Sequence, residues 1–197
     1  MKYDIILAGV GGQGVLSLSA IIAFSAMKEG LHAKQSEVHG MAQRGGAVSA
    51  NLRLSDSPIA SDLIPRGTAA MILSMEPLES LRYLEYLSPD GTLITSTDPV
   101  VNIPDYPDVD GLFKNISRLP HAVLVDSVRL AKQAGSARAS NMVMVGAASH
   151  LLPIEVATME HFITNTFKRK GDNVVEANIA AFRAGREAFT RYEHPHK

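Results

Sequence analysis

Two short stretches of the chain gather residue types suited to holding an anion. The first is Gly9-Val10-Gly11-Gly12-Gln13-Gly14, and the second closes on Gln43-Arg44-Gly45-Gly46. Glycines let a backbone turn sharply and come close to a ligand. The first stretch follows an apolar run of strand character, Tyr3 to Ala8, and precedes Val15 to Met27, which is apolar almost throughout. A helix that starts at Val15 aims its unpaired N–H groups and its positive dipole end into the turn, a ready site for phosphate or carboxylate. The spacing fits G-x-G-x-x-G in the strand-to-helix context that this pattern requires. The same glycines would also serve a tight turn that only permits close packing. In the second stretch, Arg44 beside Gly45-Gly46 puts a planar cation next to exposed N–H groups, a combination that suits a carboxylate, a phosphate or an acidic group of a partner. The bland reading is a surface loop with a solvated arginine. The candidate binding positions are therefore Gly9, Gly11, Gly12, Gln13 and Gly14 with Gln43, Arg44, Gly45 and Gly46. No residue stands out as a nucleophile or general base, and His39 alone reads as a packed or surface residue.

The elements that must position these loops follow from periodicity. The first helix ends near Lys28-Glu29-Gly30, with Gly30 as its cap, and its apolar character on nearly all sides predicts a buried helix. In a dinucleotide-binding fold the next strand is hydrophobic and ends in an acid about 20 residues past the glycines. Leu31 to Ser36 is polar with no acid at its tip, which argues against NAD. Ser36 to Gly46 reads as a polar, glycine-rich loop before a half-buried strand over Ala47–Leu54, where Val48, Ala50, Leu52 and Leu54 alternate with polar residues. Ser55 to Pro58 is a turn. Ala69 to Ser74 is a continuous apolar run of the kind found in parallel sheets. Glu76-Pro77 opens a helix carrying Leu78, Leu81, Leu84 and Leu87, which Ser88-Pro89-Asp90-Gly91 ends before a strand over Thr92–Thr97.

Further along, 98–111 is an acidic, proline-containing loop; the acids could suit a metal, but prolines between them and no glycine-turn pattern favour a solvated or partner-facing loop. His121 to Val125 is another strand, and Asp126-Ser127 can cap the helix after it. Asn141 to Ala148 reads as a buried helix capped at Ser140 or Asn141. After Pro153 come helices over 154–167 and from Asp172 to Tyr192. Lys168-Arg169-Lys170 complements the end of the first of these, with the phosphates of a nucleotide ligand as the sharper alternative. His194-Pro195-His196 is a frayed tail. Alternating strands and helices predict an α/β fold, a three-layer α/β/α sandwich with a mostly parallel or mixed sheet, a Rossmann-like start and extra C-terminal helices. One domain over 1–197, with helices from about 153 packed on it, is expected.

Composition narrows the function. The 197 residues carry a formal net charge of -1, so nothing draws the chain to nucleic acid or an anionic membrane. There is no cysteine, which excludes disulfides, thiolate catalysis and a cysteine-ligated iron–sulfur cluster on this chain. Tryptophan is absent and aromatics are 6%, leaving few platforms for stacking bases. Asp4 interrupts the first apolar run and no basic leader precedes it, so a cytoplasmic location is expected.

Gly11-Gly12-Gln13-Gly14, the segment Glu37-Val38-His39-Gly40-Met41-Ala42-Gln43-Arg44-Gly45-Gly46 and Glu76-Pro77-Leu78-Glu79 together resemble the gamma-type domain of 2-oxoacid:ferredoxin oxidoreductases. The resemblance covers almost the whole chain. It implies an oxidoreductase complex that converts 2-oxoacids to acyl-CoA and carbon dioxide and passes electrons to ferredoxin, with arylpyruvates such as indolepyruvate as favoured substrates. It further implies that this chain is the small, non-catalytic subunit. Thiamine diphosphate and the iron–sulfur clusters would belong to a large alpha subunit as partner, and CoA is the candidate ligand of the gamma-type domain. The competing readings are a stand-alone nucleotide-binding enzyme of the NAD class and a pure binding module.

Overall fold

The structure, a computed structural model, describes residues 1–39 and 45–193. Gln43 and Arg44 of the second glycine stretch, and the tail from His194, lie outside the described residues. In chain order the elements are β1 (Lys2–Val10), α1 (Val15–Lys28), β2 (His32–His39), β3 (Ala47–Ser55), β4 (Ala69–Ser74), α2 (Pro77–Leu81) and β5 (Leu87–Ser96). They continue with α3 (Val109–Ile116), β6 (Ala122–Val125), α4 (Ser127–Gln133), α5 (Ser140–Ala148), α6 (Val156–Phe167) and α7 (Asp172–Glu193).

The strands form one sheet in the order β2-β3-β1-β4-β5-β6. β1, β4, β5 and β6 are mutually parallel, and β3 runs antiparallel to both β1 and β2. The sheet is therefore mixed, as expected. Its two faces follow from alternation along the strands. Ile5, Leu7, Met71, Leu73, Ile94 and Val123 point into one core with residues of α1, α4, α5, α6 and α7. Ile6, Ile72, Leu93 and Ala122 point the other way, into a smaller core with α3 residues Leu112 and Ile116. Most of these side chains are 0–4% exposed, and each fully buried Leu or Ile contributes about 1.5–3 kcal/mol. Sheet with helices on both faces is the three-layer sandwich read from the sequence.

Several expectations are corrected. The polar segment after α1 is a strand, β2, and it takes in Ser36 to His39, where the sequence predicts a loop. It can be polar because, among the described residues, it is an edge strand paired with β3 alone. The long helix over Leu78–Leu87 does not form: α2 stops at Leu81, a 3-10 turn spans Leu84–Tyr86, and β5 already starts at Leu87. The Ser88–Gly91 turn signal marks an irregularity inside β5, where the ladder passes from Leu87 opposite Ala69 to Thr92 opposite Met71. α1 is buried on one side only, because Leu16, Phe24 and Met27 are 38–54% exposed. α5 follows Ala139 with no side-chain cap, so neither Ser140 nor Asn141 caps it. Asp126 does cap α4, accepting from the Arg129 N–H.

Candidate functional site

The two glycine stretches meet at the carboxyl end of β1. β1 and β3 are antiparallel neighbours whose ladder ends with Val10 opposite Ala47, so the turn leaving β1 and the turn entering β3 lie side by side. Gly11 N–H donates to Gly46 O at 2.9 Å, and Gly45 N–H donates to Gly11 O at 3.4 Å. Gly12, Gly14 and Gly45 have φ of 102°, 80° and 77°, where an L side chain is crowded.

Not every predicted binding residue is free for a ligand. Gln13 is a strut: its Oε1 accepts from Val10 N–H at 2.7 Å and its Nε2 donates to Met75 O at 3.1 Å. Both ends of its amide are thus spent on fastening the first turn to the end of β4. Gly9 belongs to β1, where a Cβ would stand 2.9 Å from Gln13 Oε1 and 2.9 Å from a Val15 methyl, so it is glycine for packing. Gly12 has nothing within 4 Å of its Cβ position and faces open space.

Gly14 is the N-cap of α1 through its backbone alone. As a glycine it brings no side-chain cap, and the first turn contains no acid. A helix start of this kind offers unpaired N–H groups and a positive dipole end, features that suit an anion. A cavity of about 330 Å³ opens there, lined among others by Gly11, Gly12, Gly14, Leu16, Ser17 and Val48. Among the described residues no charged side chain lines it, so the donors on offer there are backbone N–H groups and the Ser17 hydroxyl.

The loop after β5 is tied to the second glycine turn and to Glu76. Asn102 Nδ2 donates to Gly45 O. Val100 N–H donates to Glu76 Oε1 at 3.2 Å, and the Tyr106 hydroxyl donates to the same oxygen. Glu76 Oε2 accepts from Glu79 N–H at 2.8 Å, capping α2. Glu76 is 1% exposed, and these donors satisfy its buried charge. Burial, and then the Glu76 carboxylate, push the Tyr106 phenol above its ordinary range. Burial raises the Glu79 carboxyl against the pull of Arg82. The acidic loop is therefore strapped across the site's edge and is not simply solvated.

A larger cavity, about 500 Å³, opens at the opposite end of β1 around Asp4 and Arg53. Its charges are spent on one another. Arg53 Nε and Nη2 donate to the two Asp4 carboxylate oxygens at 2.9 and 3.1 Å, and Nη1 donates to Ser61 O and Leu63 O at 2.9 and 2.8 Å. That end is a structural brace. Among the described residues no group of three or more His, Asp or Glu could hold a metal ion, and no helix is long and apolar enough to cross a membrane.

The structure thus brings Gly11, Gly12, Gly14, Gly45 and Gly46 together, with Gly9 and Gln13 in support. Sequence reasoning missed Asn102 and the Glu76–Tyr106 pair, whose partners lie 24 or more residues away in the chain. It also missed Asn141, which was read as a cap although its side chain abuts Gly14.

The sequence pattern of the pyruvate ferredoxin/flavodoxin oxidoreductase family matches residues 4–188. The chain is 34% identical over 194 residues to the indolepyruvate oxidoreductase subunit IorB of Archaeoglobus fulgidus, covering 94% of each chain. It is 35% identical to the subunit of the same name from Methanothermobacter thermautotrophicus, covering 94% of this chain and 96% of the other. Among solved structures, the gamma subunit of a keto/oxoacid ferredoxin oxidoreductase from Geobacter sulfurreducens superposes with a TM-score of 0.70 at 25% identity, over 95% of this chain and 98% of that one. A 2-oxoglutarate:ferredoxin oxidoreductase from Magnetococcus marinus, solved with 2-oxoglutarate, coenzyme A and succinyl-CoA, shares the fold with a TM-score of 0.76 at 22% identity. This chain spans 96% of itself but 31% of that longer one.

Proposed function

The chain belongs to the pyruvate ferredoxin/flavodoxin oxidoreductase family, and from that premise we propose that it is the small subunit of an indolepyruvate-type 2-oxoacid:ferredoxin oxidoreductase whose glycine site receives CoA. The observation that carries this reading is end-to-end likeness to subunits of that name, combined with two glycine turns joined at an uncapped helix start. The residues fit a phosphate-bearing ligand. The free N–H groups at the start of α1 can take a phosphate oxygen, and Gly12 leaves room for a close approach. The apolar walls given by Leu16 and Val48 suit an aliphatic arm.

The chemistry is divided between chains. In this proposal thiamine diphosphate and iron–sulfur clusters, held by a large alpha subunit, supply decarboxylation and electron transfer to ferredoxin. This chain binds and orients the acyl acceptor and, having no cysteine, ligates no thiolate cluster of its own. A cytoplasmic location belongs to the same proposal.

The NAD reading is disfavoured by topology. In a dinucleotide fold the strand after the first helix lies beside β1 and presents its acid to the ribose. Here β3 separates β2 from β1, so Glu37 on β2 is two strands removed from the glycine turn.

The test is co-purification of the tagged chain under anaerobic conditions, followed by assay of 2-oxoacid- and CoA-dependent reduction of a low-potential dye. Recovery of a large cluster-bearing partner with activity highest on arylpyruvates is the expected result. A chain recovered alone, or a complex without CoA-dependent turnover, would overturn the proposal.

A further inference from the structure

Asn141 lies outside both glycine turns, yet its carboxamide is pressed against the first of them. Its Nδ2 stands 2.7 Å from the position a Cβ of Gly14 would take, and its Cγ 3.5 Å from it. The side chain is 7% exposed. Its Oδ1 is buried without any hydrogen-bond partner, which is costly for a polar atom. Asn141 is the second residue of α5, and α5, like α1, starts with no side-chain cap and no acid in its first turn. Two helix starts that both lack caps therefore adjoin at one contact, Gly14 against Asn141. A buried carboxamide with one end unspent, set at the N-cap of an anion-receiving helix, is more than filling.

We propose that Asn141 is a positioning residue of the anion site: it sets Gly14 in its left-handed conformation from behind, and through Gly14 it fixes the aim of the free N–H groups at the start of α1. This rests on the reading that the glycine site takes CoA. The neutral carboxamide matters as well as its shape. A carboxylate of the same size would sit at the positive ends of both helices, which favours the fold, but it would cancel the field that attracts the ligand.

The experiment is calorimetric titration of the full chain with CoA at two ionic strengths, alongside thermal melting, for the wild type, Asn141→Asp and Asn141→Ala. Asn141→Asp is expected to keep or raise its melting temperature while binding CoA about tenfold more weakly. Asn141→Ala is expected to bind more weakly with less dependence on salt than the Asp variant. A residue that only packs would move stability and affinity together, and that result overturns the inference. So does an Asn141→Asp protein with wild-type affinity. Should Asn141→Asp fail to fold, Asn141→Ser carries the test, and wild-type affinity in that variant overturns the inference. A wild-type chain that does not bind CoA at all refutes the underlying reading instead, and is distinguished because the loss precedes any substitution.

Discussion

Gly146 on α5 and Gly185 on α7 each sit against the other helix's backbone. A Cβ on Gly146 would come within 1.9 Å of Phe182 O, and one on Gly185 within 1.9 Å of Val143 O. The helices can approach this closely only because both positions lack side chains. In an isolated helix, replacing glycine by alanine gains about 1 kcal/mol. Here the clash is with backbone on both sides, so the sign reverses. Gly146→Ala or Gly185→Ala is expected to lose more than about 3 kcal/mol, read as a fall in melting temperature of roughly 10 °C.

Gly12 and Gly14 share a left-handed backbone but not their surroundings. Gly12→Ala meets open space and is expected to lose only the backbone term, about 1–2 kcal/mol. Gly14→Ala adds a collision with the Asn141 amide, whose nitrogen stands 2.7 Å from the new Cβ. Chemical denaturation should rank Gly14→Ala as the more destabilised, and Asn141→Ala should recover part of the difference in the double variant.

Gln13 ties the glycine turn to β4 through both ends of its amide. Gln13→Leu leaves the Val10 N–H and the Met75 carbonyl without their partners. A loss of about 2–3 kcal/mol is expected, together with weaker CoA binding. A variant with normal binding would show that the turn holds its shape without the strut.

The Asp4–Arg53 brace offers a control distant from the site. Arg53→Met removes one partner of a pair whose side chains are 2% and 9% exposed, and leaves Asp4 with the exposed Lys2 Nζ at 3.0 Å. A buried charge that loses its main partner costs about 3–5 kcal/mol. Stability should fall while CoA affinity measured on the folded fraction stays at the wild-type value.

Tyr3 gives a pH dependence with a definite sign. Burial raises its phenol from 10.0 to about 12, because the folded chain disfavours the phenolate. The folded state therefore holds its proton where the unfolded chain has released it. Stability from this residue is complete below pH 10 and is lost as pH rises from 10 towards 12. Urea midpoints measured across that range should fall in the wild type and fall less steeply in Tyr3→Phe.

Sequence alone determined what depends on neighbours within a few positions. The glycine spacing from Gly9 to Gly14, the alternation in Ala47–Leu54, the apolar run at Ala69–Ser74, the helix start at Glu76-Pro77 and the cap at Asp126 all act over one turn or one pleat. They were legible, as was the absence of cysteine. Together they defined the layered α/β fold and pointed to one anion-binding turn. The tertiary structure decided what depends on pairing across the chain. Strand order is set by which ladders bury the most apolar surface, and that placed β3 between β1 and β2 and turned a polar segment into an edge strand. The same ladder brought Gly11 against Gly45 and Gly46, spent Gln13 on Met75, strapped the acidic loop to Glu76 and set Asn141 behind Gly14. Each of these contacts joins residues dozens of positions apart, where no local periodicity carries a signal.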